Sequence, residues 1–320
     1  MGHVFHILEQ GSKIIKESER LYVKKDEEIL AEIRTFELDA IFIYGGVQIS
    51  TQALRLIMEK GIDCSILTMD GRLIGTINSI RSKNIVRRVN QYRKCVDNDS
   101  RIYVAKKLVI AKLRNMIYLI KIYLKNWYDR DIALVIKDID SGISALVRKN
   151  SVNRILGVEG YITSCYFRAY RKMFRGELKF ESRTRRPPKD PVNAMLGFGY
   201  TYLMNQFITL LNSFGLDPYL GFYHGVQYGR PSLALDMMEN FRSVVDRMVL
   251  KLCNLKVFGY NDFEERDNGV YLTQKGLKKY LKECEKYFKE NSYKDMMYTQ
   301  VESLSRYLKD GSDFEPVIFE

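Results

Sequence analysis

Cysteine is scarce and carries no pattern. Cys64, Cys95, Cys165, Cys253 and Cys284 are odd in number, widely scattered and never in a CxxC pair. A disulfide framework and a zinc knuckle are therefore not expected. The thiols are expected to be reduced, as small core residues of a cytoplasmic protein. No run of about 18 apolar residues occurs, so no membrane span is expected. The start, MGHVFHILEQGSK, lacks a basic segment followed by a long apolar one, which argues against a secretory signal. Its Met-Gly opening would need Ser or Thr at the sixth position for myristoylation, where His6 stands. No helix-turn-helix or zinc motif offers sequence-specific readout. Beyond His6 there is one histidine, His224.

What is present is an ordinary globular composition, 46% hydrophobic and 28% charged, over 320 residues. That length is comfortable for two domains. The net charge of +12 is unevenly placed. Residues 1–83 carry 11 Lys+Arg against 12 Asp+Glu, and residues 84–320 carry 40 against 27. The whole basic excess falls in the second part, as expected of a surface that faces a polyanion.

Up to about residue 83 the pattern is mainly of short strands. HVFHILEQ, RLYVKK, EILAEI, AIFIYG and DCSILTM are rich in β-branched and aromatic residues. One helix interrupts them in STQALRLIMEKG, with Ser50 as its cap and Gly61 as its stop. Asp70-Gly71 predicts a hairpin between ILTM and RLIGTI. The rest reads as helices. From Arg101 to Trp127 an apolar stripe recurs at helical spacing, and Lys106, Lys107, Lys112, Arg114, Lys121 and Lys125 are expected outside it as a basic surface. Further helices are expected near 130–148, 151–175, 191–213, 232–254, 273–290 and 293–309. Asp190-Pro191 opens the third of these, and Gly215 closes it. The fold class is α+β in two domains: a small β-sandwich-like domain, residues 1–83, joined near 80–92 to a larger all-α domain, residues 84–320.

Three places in the helical part offer metal ligands. Glu159, in GVEGY, falls at the margin of a buried helical stripe, where a carboxylate is partly desolvated and needs a partner. Gly157 and Gly160 beside it allow a backbone or phosphate to come close. His224, in GFYHG, lies on a loop bracketed by Gly221 and Gly225. Asp236 and Glu239, in RPSLALDMMENFR, are three apart and share a helix face. Each has a plainer alternative: a structural Glu paired with an Arg, a satisfied structural His, a solvated acidic face. Between the first two places, residues 148–190 hold 12 Lys+Arg against 4 Asp+Glu, with aromatic rings interleaved. Guanidinium groups bind phosphates in a bidentate way, and exposed rings stack unpaired bases. Most of these rings are expected in the core. Oxygen ligands plus one imidazole suit Mg²⁺ or Mn²⁺ rather than zinc. A hard cation beside an Arg-rich surface suits phosphodiester chemistry.

In order along the chain, ILGVEGY, RTRRPPKDPVNAMLGFGYTYL, GLDPYLGFYHG and RPSLALDMMENFR resemble the motifs of the CRISPR-associated integrase, the endonuclease subunit of the CRISPR adaptation complex. AIFIYGGVQISTQALRLIMEKGIDCSILTMDGRLIG looks like that family's β-domain signature, and VFGYNDFEERDNGVYLTQKGLKKYL also looks familial. The resemblance implies metal ligands at Glu159, His224 and Glu239, with Asp236 supporting them. It implies DNA-contacting or site-supporting roles for Arg183, Arg186, Asn193 and Tyr200. It also implies a dimerising N-terminal domain, a helical catalytic domain, a small ferredoxin-like partner, and Mg²⁺- or Mn²⁺-dependent insertion of short DNA fragments beside the leader of a CRISPR array by attack of a 3′-hydroxyl. Two other readings remain at this point: a non-enzymatic DNA-binding scaffold, and a recombinase with a tyrosine nucleophile, for which the 22 tyrosines leave room.

Overall fold

A computed structural model describes residues 3–77 and 85–319. The chain divides into two compact units, residues 1–83 and 84–320. It is α+β, with a β-rich N-terminal region and a helical C-terminal region.

In the first unit, strands β1 (His3–Ile7), β2 (Lys13–Glu17), β3 (Arg20–Lys25), β4 (Glu28–Arg34), β5 (Leu38–Tyr44) and β6 (Gln48–Ile49) precede helix α1 (Thr51–Lys60), and β7 (Asp63–Leu67) and β8 (Leu73–Ile77) follow it. They form two four-stranded sheets, ordered β1-β5-β7-β8 and β4-β3-β2-β6. One core takes Ile41 and Ile43 from the first sheet, Ile14 and Leu21 from the second, and Leu56 and Ile57 from α1. Burying each Leu or Ile of this kind contributes about 1.5–3 kcal/mol. Ser50 caps α1 by accepting from the Ala53 N–H, and Gly61 ends it at φ +66°, as the sequence predicts. The Asp70-Gly71 hairpin also forms, with Gly71 at φ +84° and its N–H bonded to the Thr68 carbonyl. The short strands β2 and β6 are not among the predicted ones.

The second unit holds α2 (Ile85–Val96), α3 (Asn98–Asn126), α4 (Arg130–Val147), α5 (Val152–Lys172), α6 (Pro191–Ser213), α7 (Ser232–Met238) and α8 (Arg242–Asn254). A hairpin of β9 (Phe263–Arg266) and β10 (Gly269–Leu272) comes next, then α9 (Gln274–Glu290) and α10 (Tyr293–Asp310). The described helices fall close to the predicted ranges. Three expectations need correction. The unit is not all-α, because Asp267 and Asn268, both at positive φ, turn β9 back onto β10. The expected junction at 80–92 lies partly outside the described residues, and from Ile85 onward it is already helix α2. The single helix expected over 232–254 is interrupted by a 3₁₀ turn at Glu239–Phe241.

Two close approaches position the helices that matter. A Cβ on Gly142 of α4 would lie 2.6 Å from Cγ1 of Ile162, so glycine lets α4 pack directly on α5. Asp190 caps α6 by accepting from the Asn193 N–H, with Pro191 in the first turn and Gly215 following the end at φ +73°. None of the described helices is long and apolar enough to cross a membrane.

Candidate metal centre

Glu159 sits two turns into α5, on the border between the buried face of Ile155 and Ile162 and the surface. Its Oε1 accepts from Thr163 Oγ1, one turn along, at 2.8 Å. The neighbouring Gly157 and Gly160 face open space, so nothing within the protein requires glycine there.

His224 lies on the loop between α6 and α7, and Asp236 of α7 organises that loop. Asp236 is fully buried, and its Oδ2 accepts from the N–H groups of Phe222 and Tyr223 at 2.6 and 2.9 Å. Its Oδ1 accepts from the His224 N–H at 2.9 Å and from His224 Nδ1 at 2.7 Å. A carboxylate only accepts, so the Nδ1 proton is fixed and the Nε2 lone pair is left for another partner. Gly221 is required here, since a Cβ would lie 2.6 Å from Asp236 Oδ2 and 2.8 Å from the Ser232 backbone. The other side of the loop is held by α2: buried Gln91 donates to the carbonyls of Asp217 and Leu220 and accepts from the Asp217 N–H.

Glu239 occupies the 3₁₀ turn between α7 and α8. Asn115 of α3 donates to the Asn240 carbonyl at 2.7 Å, and Asn240 itself donates to Gln300 and to the Val317 carbonyl. These contacts fix the interruption and with it the direction of Glu239. His224 Nε2 lies 3.8 Å from Glu239 Oε1. Arg242 Nε donates to the same oxygen at 3.0 Å.

The structure thus gathers Glu159, His224, Asp236 and Glu239, and it adds a residue assigned above to the surface. Lys112 of α3 is buried, with its ammonium against Glu159 Oε1 and 2.6 Å from Glu239 Oε2. Helical spacing carried the signal: position 112 lies four residues from Leu108 and from Met116, inside the apolar stripe. Burial alone would lower the Lys112 ammonium, but Glu239 and Glu159 outweigh it and raise it. Burial would likewise raise the Glu239 carboxyl, yet Arg242 and Lys112 hold it well below the usual carboxylate range. Among the described residues no three His, Cys, Asp or Glu side chains stand ready-grouped around one point. The lysine ammonium stands between the two glutamates.

The donor set nevertheless fits a hard divalent ion. Two carboxylates and one imidazole nitrogen with a fixed tautomer are the ligand types such an ion takes. Tyr223 supports the fit, because its buried hydroxyl has no hydrogen-bond partner among the described residues and lies in the field of Glu159, Glu239 and Asp236. A hydrated cation brings water that could satisfy it.

Of the two roles expected for the second motif, DNA contact or site support, the burial of its residues favours support for Asn193 and Tyr200. Asn193 is buried, donating to the Ser182 carbonyl and accepting from Arg183 and the Thr184 N–H. Tyr200 is buried and donates to Asp246. Neither offers a free polar edge to DNA, so both are internal supports. Arg183 lies over the Tyr200 ring at 5.4 Å and Arg242 at 4.8 Å, a stack that steadies the arginine bonded to Glu239. Arg186 is exposed. The tyrosine beside His224 is Tyr223, whose buried hydroxyl is pushed above its ordinary range by burial and by the nearby carboxylates, which disfavours it as a nucleophile.

Beneath this layer Asp246 accepts from Tyr200 and, at 2.8 Å, from Tyr166. Burial pushes its carboxyl up to about 6, against the pull of the two hydroxyls, Arg242 and Arg183. Between pH 4 and 6 the folded chain therefore holds a proton that the unfolded chain releases. Its stabilising effect is complete below about pH 4 and is lost as the pH rises through 6, a swing of about 3 kcal/mol. Melting temperatures of wild type and Asp246→Asn at pH 4.5 and 7.5 check this. The variant is expected to gain on wild type as the pH rises; a constant gap contradicts the assignment.

A helical unit that brings acidic and imidazole side chains beside arginines suits an enzyme that works on phosphodiesters. The family profile described as "CRISPR associated protein Cas1" matches residues 5–286, and the chain belongs to that family. A CRISPR-associated endonuclease Cas1 of Thermodesulfovibrio yellowstonii is 39% identical over 76% of this chain and 78% of its own. A Cas4 exonuclease/Cas1 endonuclease fusion of Geobacter sulfurreducens is 31% identical over 93% of this chain, which spans 58% of the fusion's length. The structure of a casposase bound to its integration product superposes with a TM-score of 0.88 at 26% identity, covering 100% of this chain and 95% of the other. The chain is accordingly a DNA endonuclease and integrase of CRISPR spacer acquisition.

Proposed function

We propose that Glu159, His224 and Glu239 hold one divalent cation, Mg²⁺ or Mn²⁺, and that the chain uses it to join a DNA 3′-hydroxyl to a phosphodiester of the CRISPR repeat. The observation that carries the reading is the contact of His224 Nδ1 with Asp236, which turns Nε2 toward Glu239. Asp236 also orients the loop. Arg242 offsets the charge of Glu239 and braces it. When bound, the ion supplies Lewis acidity at the attacking and leaving oxygens. The fragment's 3′-oxygen forms a bond to phosphorus in line with the bond that breaks, and the displaced oxygen leaves as a new 3′-hydroxyl. With water as the attacking group the same site gives nuclease cleavage.

Exposed Arg186 and the exposed Tyr161, next but one to Glu159, support a DNA path along α5 and the following segment. The near-neutral charge of residues 1–83 supports a protein-facing role: a β-sandwich-like unit through which two copies pair. Residues 84–320 are then the catalytic domain. The full assembly includes a small ferredoxin-like partner, and its substrates are prespacer fragments and the repeat next to the leader.

Strand transfer of a short 3′-hydroxyl duplex into supercoiled repeat-bearing plasmid tests this, with Mn²⁺ and with EDTA, for wild type and His224→Ala. Joining is expected with Mn²⁺ in the wild type only. Joining that survives both EDTA and the substitution overturns the metal reading.

A further inference from the structure

We propose that Lys112 is the built-in counter-ion of the metal centre: its ammonium holds Glu159 and Glu239 together until a divalent ion takes that position, and the ion binds by exchanging with it. The inference rests on the metal-centre reading and adds to it a residue that tunes metal affinity.

The argument begins with charge. Glu159, Asp236 and Glu239 bring three carboxylates into one place, and Lys112 and Arg242 bring two cations. Asp236 is satisfied by three backbone N–H groups and His224, and Arg242 serves Glu239 Oε1. Glu159, which also accepts from Thr163, and the second oxygen of Glu239 have the lysine as their counter-charge. Without it, two carboxylates from α5 and the 3₁₀ turn would face each other with little solvent between them, which is unfavourable. Adding a divalent ion while the ammonium stayed in place would put two cations on the same oxygens. Exchange avoids that crowding.

The second part is mechanical. The backbone of α3 is tied to the Glu239 turn by Asn115, which donates to the Asn240 and Val317 carbonyls and accepts from the Phe319 N–H. What remains adjustable is the lysine's four-carbon stem, a flexible arm carrying a compact charge. An arginine, with its planar fork, would hold both carboxylates more rigidly. The choice of residue therefore fits a cation that must leave.

Mn²⁺ binding, measured by calorimetry on the full chain, tests the exchange in wild type, Lys112→Met, Glu159→Gln and His224→Ala. Lys112→Met is expected to bind Mn²⁺ about tenfold tighter or more, since no tethered cation competes. Its metal-free melting temperature is expected below that of wild type, and Mn²⁺ is expected to raise it by more. Equal or weaker Mn²⁺ binding by Lys112→Met, with binding still lost in Glu159→Gln and His224→Ala, overturns the exchange and leaves the metal centre standing. Mn²⁺ binding indifferent to Glu159→Gln and His224→Ala overturns the centre itself and the exchange with it. Should Lys112→Met not fold, the ¹⁵N resonance of the lysine ammonium in wild type gives the answer. Lys112 is the one buried lysine among the described residues, so its ammonium protons exchange slowest. Mg²⁺ is expected to shift or release that signal at saturation; an unchanged signal overturns the proposal.

Discussion

Asp236→Asn is expected to reduce strand transfer by about a hundredfold or more while leaving DNA binding intact. The carboxylate fixes the imidazole through Nδ1 at 2.7 Å. An asparagine amide turned toward the ring would present N–H to Nδ1, forcing the proton onto Nε2, the nitrogen that faces Glu239. Turned the other way, it would keep the tautomer but set its own N–H groups against the backbone N–H donors of Phe222 and Tyr223. Either orientation damages the centre. Losing the orienting partner of a metal-binding histidine costs 10- to 100-fold, and a wrong tautomer in a catalytic triad about 10⁴. Strand transfer and gel-shift measurements on the same preparation separate the effects. Activity within a few-fold of wild type would mean that His224 works through Nδ1 or not at all.

Glu239→Ala is expected to be inactive and also markedly unstable, whereas Glu159→Ala is expected to be inactive with a smaller loss. The Glu239 side chain is 4% exposed and serves both Lys112 and Arg242; the Glu159 side chain is 15% exposed and serves Lys112 and Thr163. Removing one member of a buried ion pair costs about 3–5 kcal/mol because the partner charge stays behind. For a unit of this size that lowers the melting temperature by roughly 10 °C. Thermal melts followed by circular dichroism give the order directly. A Glu239→Ala protein that melts like wild type would show that the buried cations find other partners and that the charge argument is wrong.

The parts of the fold that the sequence announces are those with local signals. Ser50 and Gly61 mark α1, Asp190-Pro191 and Gly215 mark α6, and Asp70-Gly71 marks a hairpin, because each uses a residue whose own conformation ends or starts an element. The four acidic and imidazole residues were singled out through motif resemblance; in the fold Asp236 bonds His224, His224 faces Glu239, and Lys112 links Glu239 to Glu159. What escaped depends on contacts far along the chain. The break at Glu239 follows from hydrogen bonds by Asn115, Gln300 and the Val317 carbonyl, none of which a window around residue 239 contains. Lys112 was assigned to solvent by residue type although its spacing put it in the stripe; burial of a lysine makes sense only once two glutamates are seen beside it. For Asn193 and Tyr200 the motif left DNA contact and site support open, because a motif records proximity to a site and not which side of the surface a residue faces; both are buried.

The ties that fix the centre also set when it comes into being. Lys112 reaches Glu239 across 127 positions, and Asn115 reaches Phe319 across 204. Contacts of such separation close late, after the entropy of long loops has been overcome. A growing or half-folded chain therefore has its ligands scattered, and cutting power arrives only with the finished fold. The endonuclease site is thereby assembled only when the fold is complete.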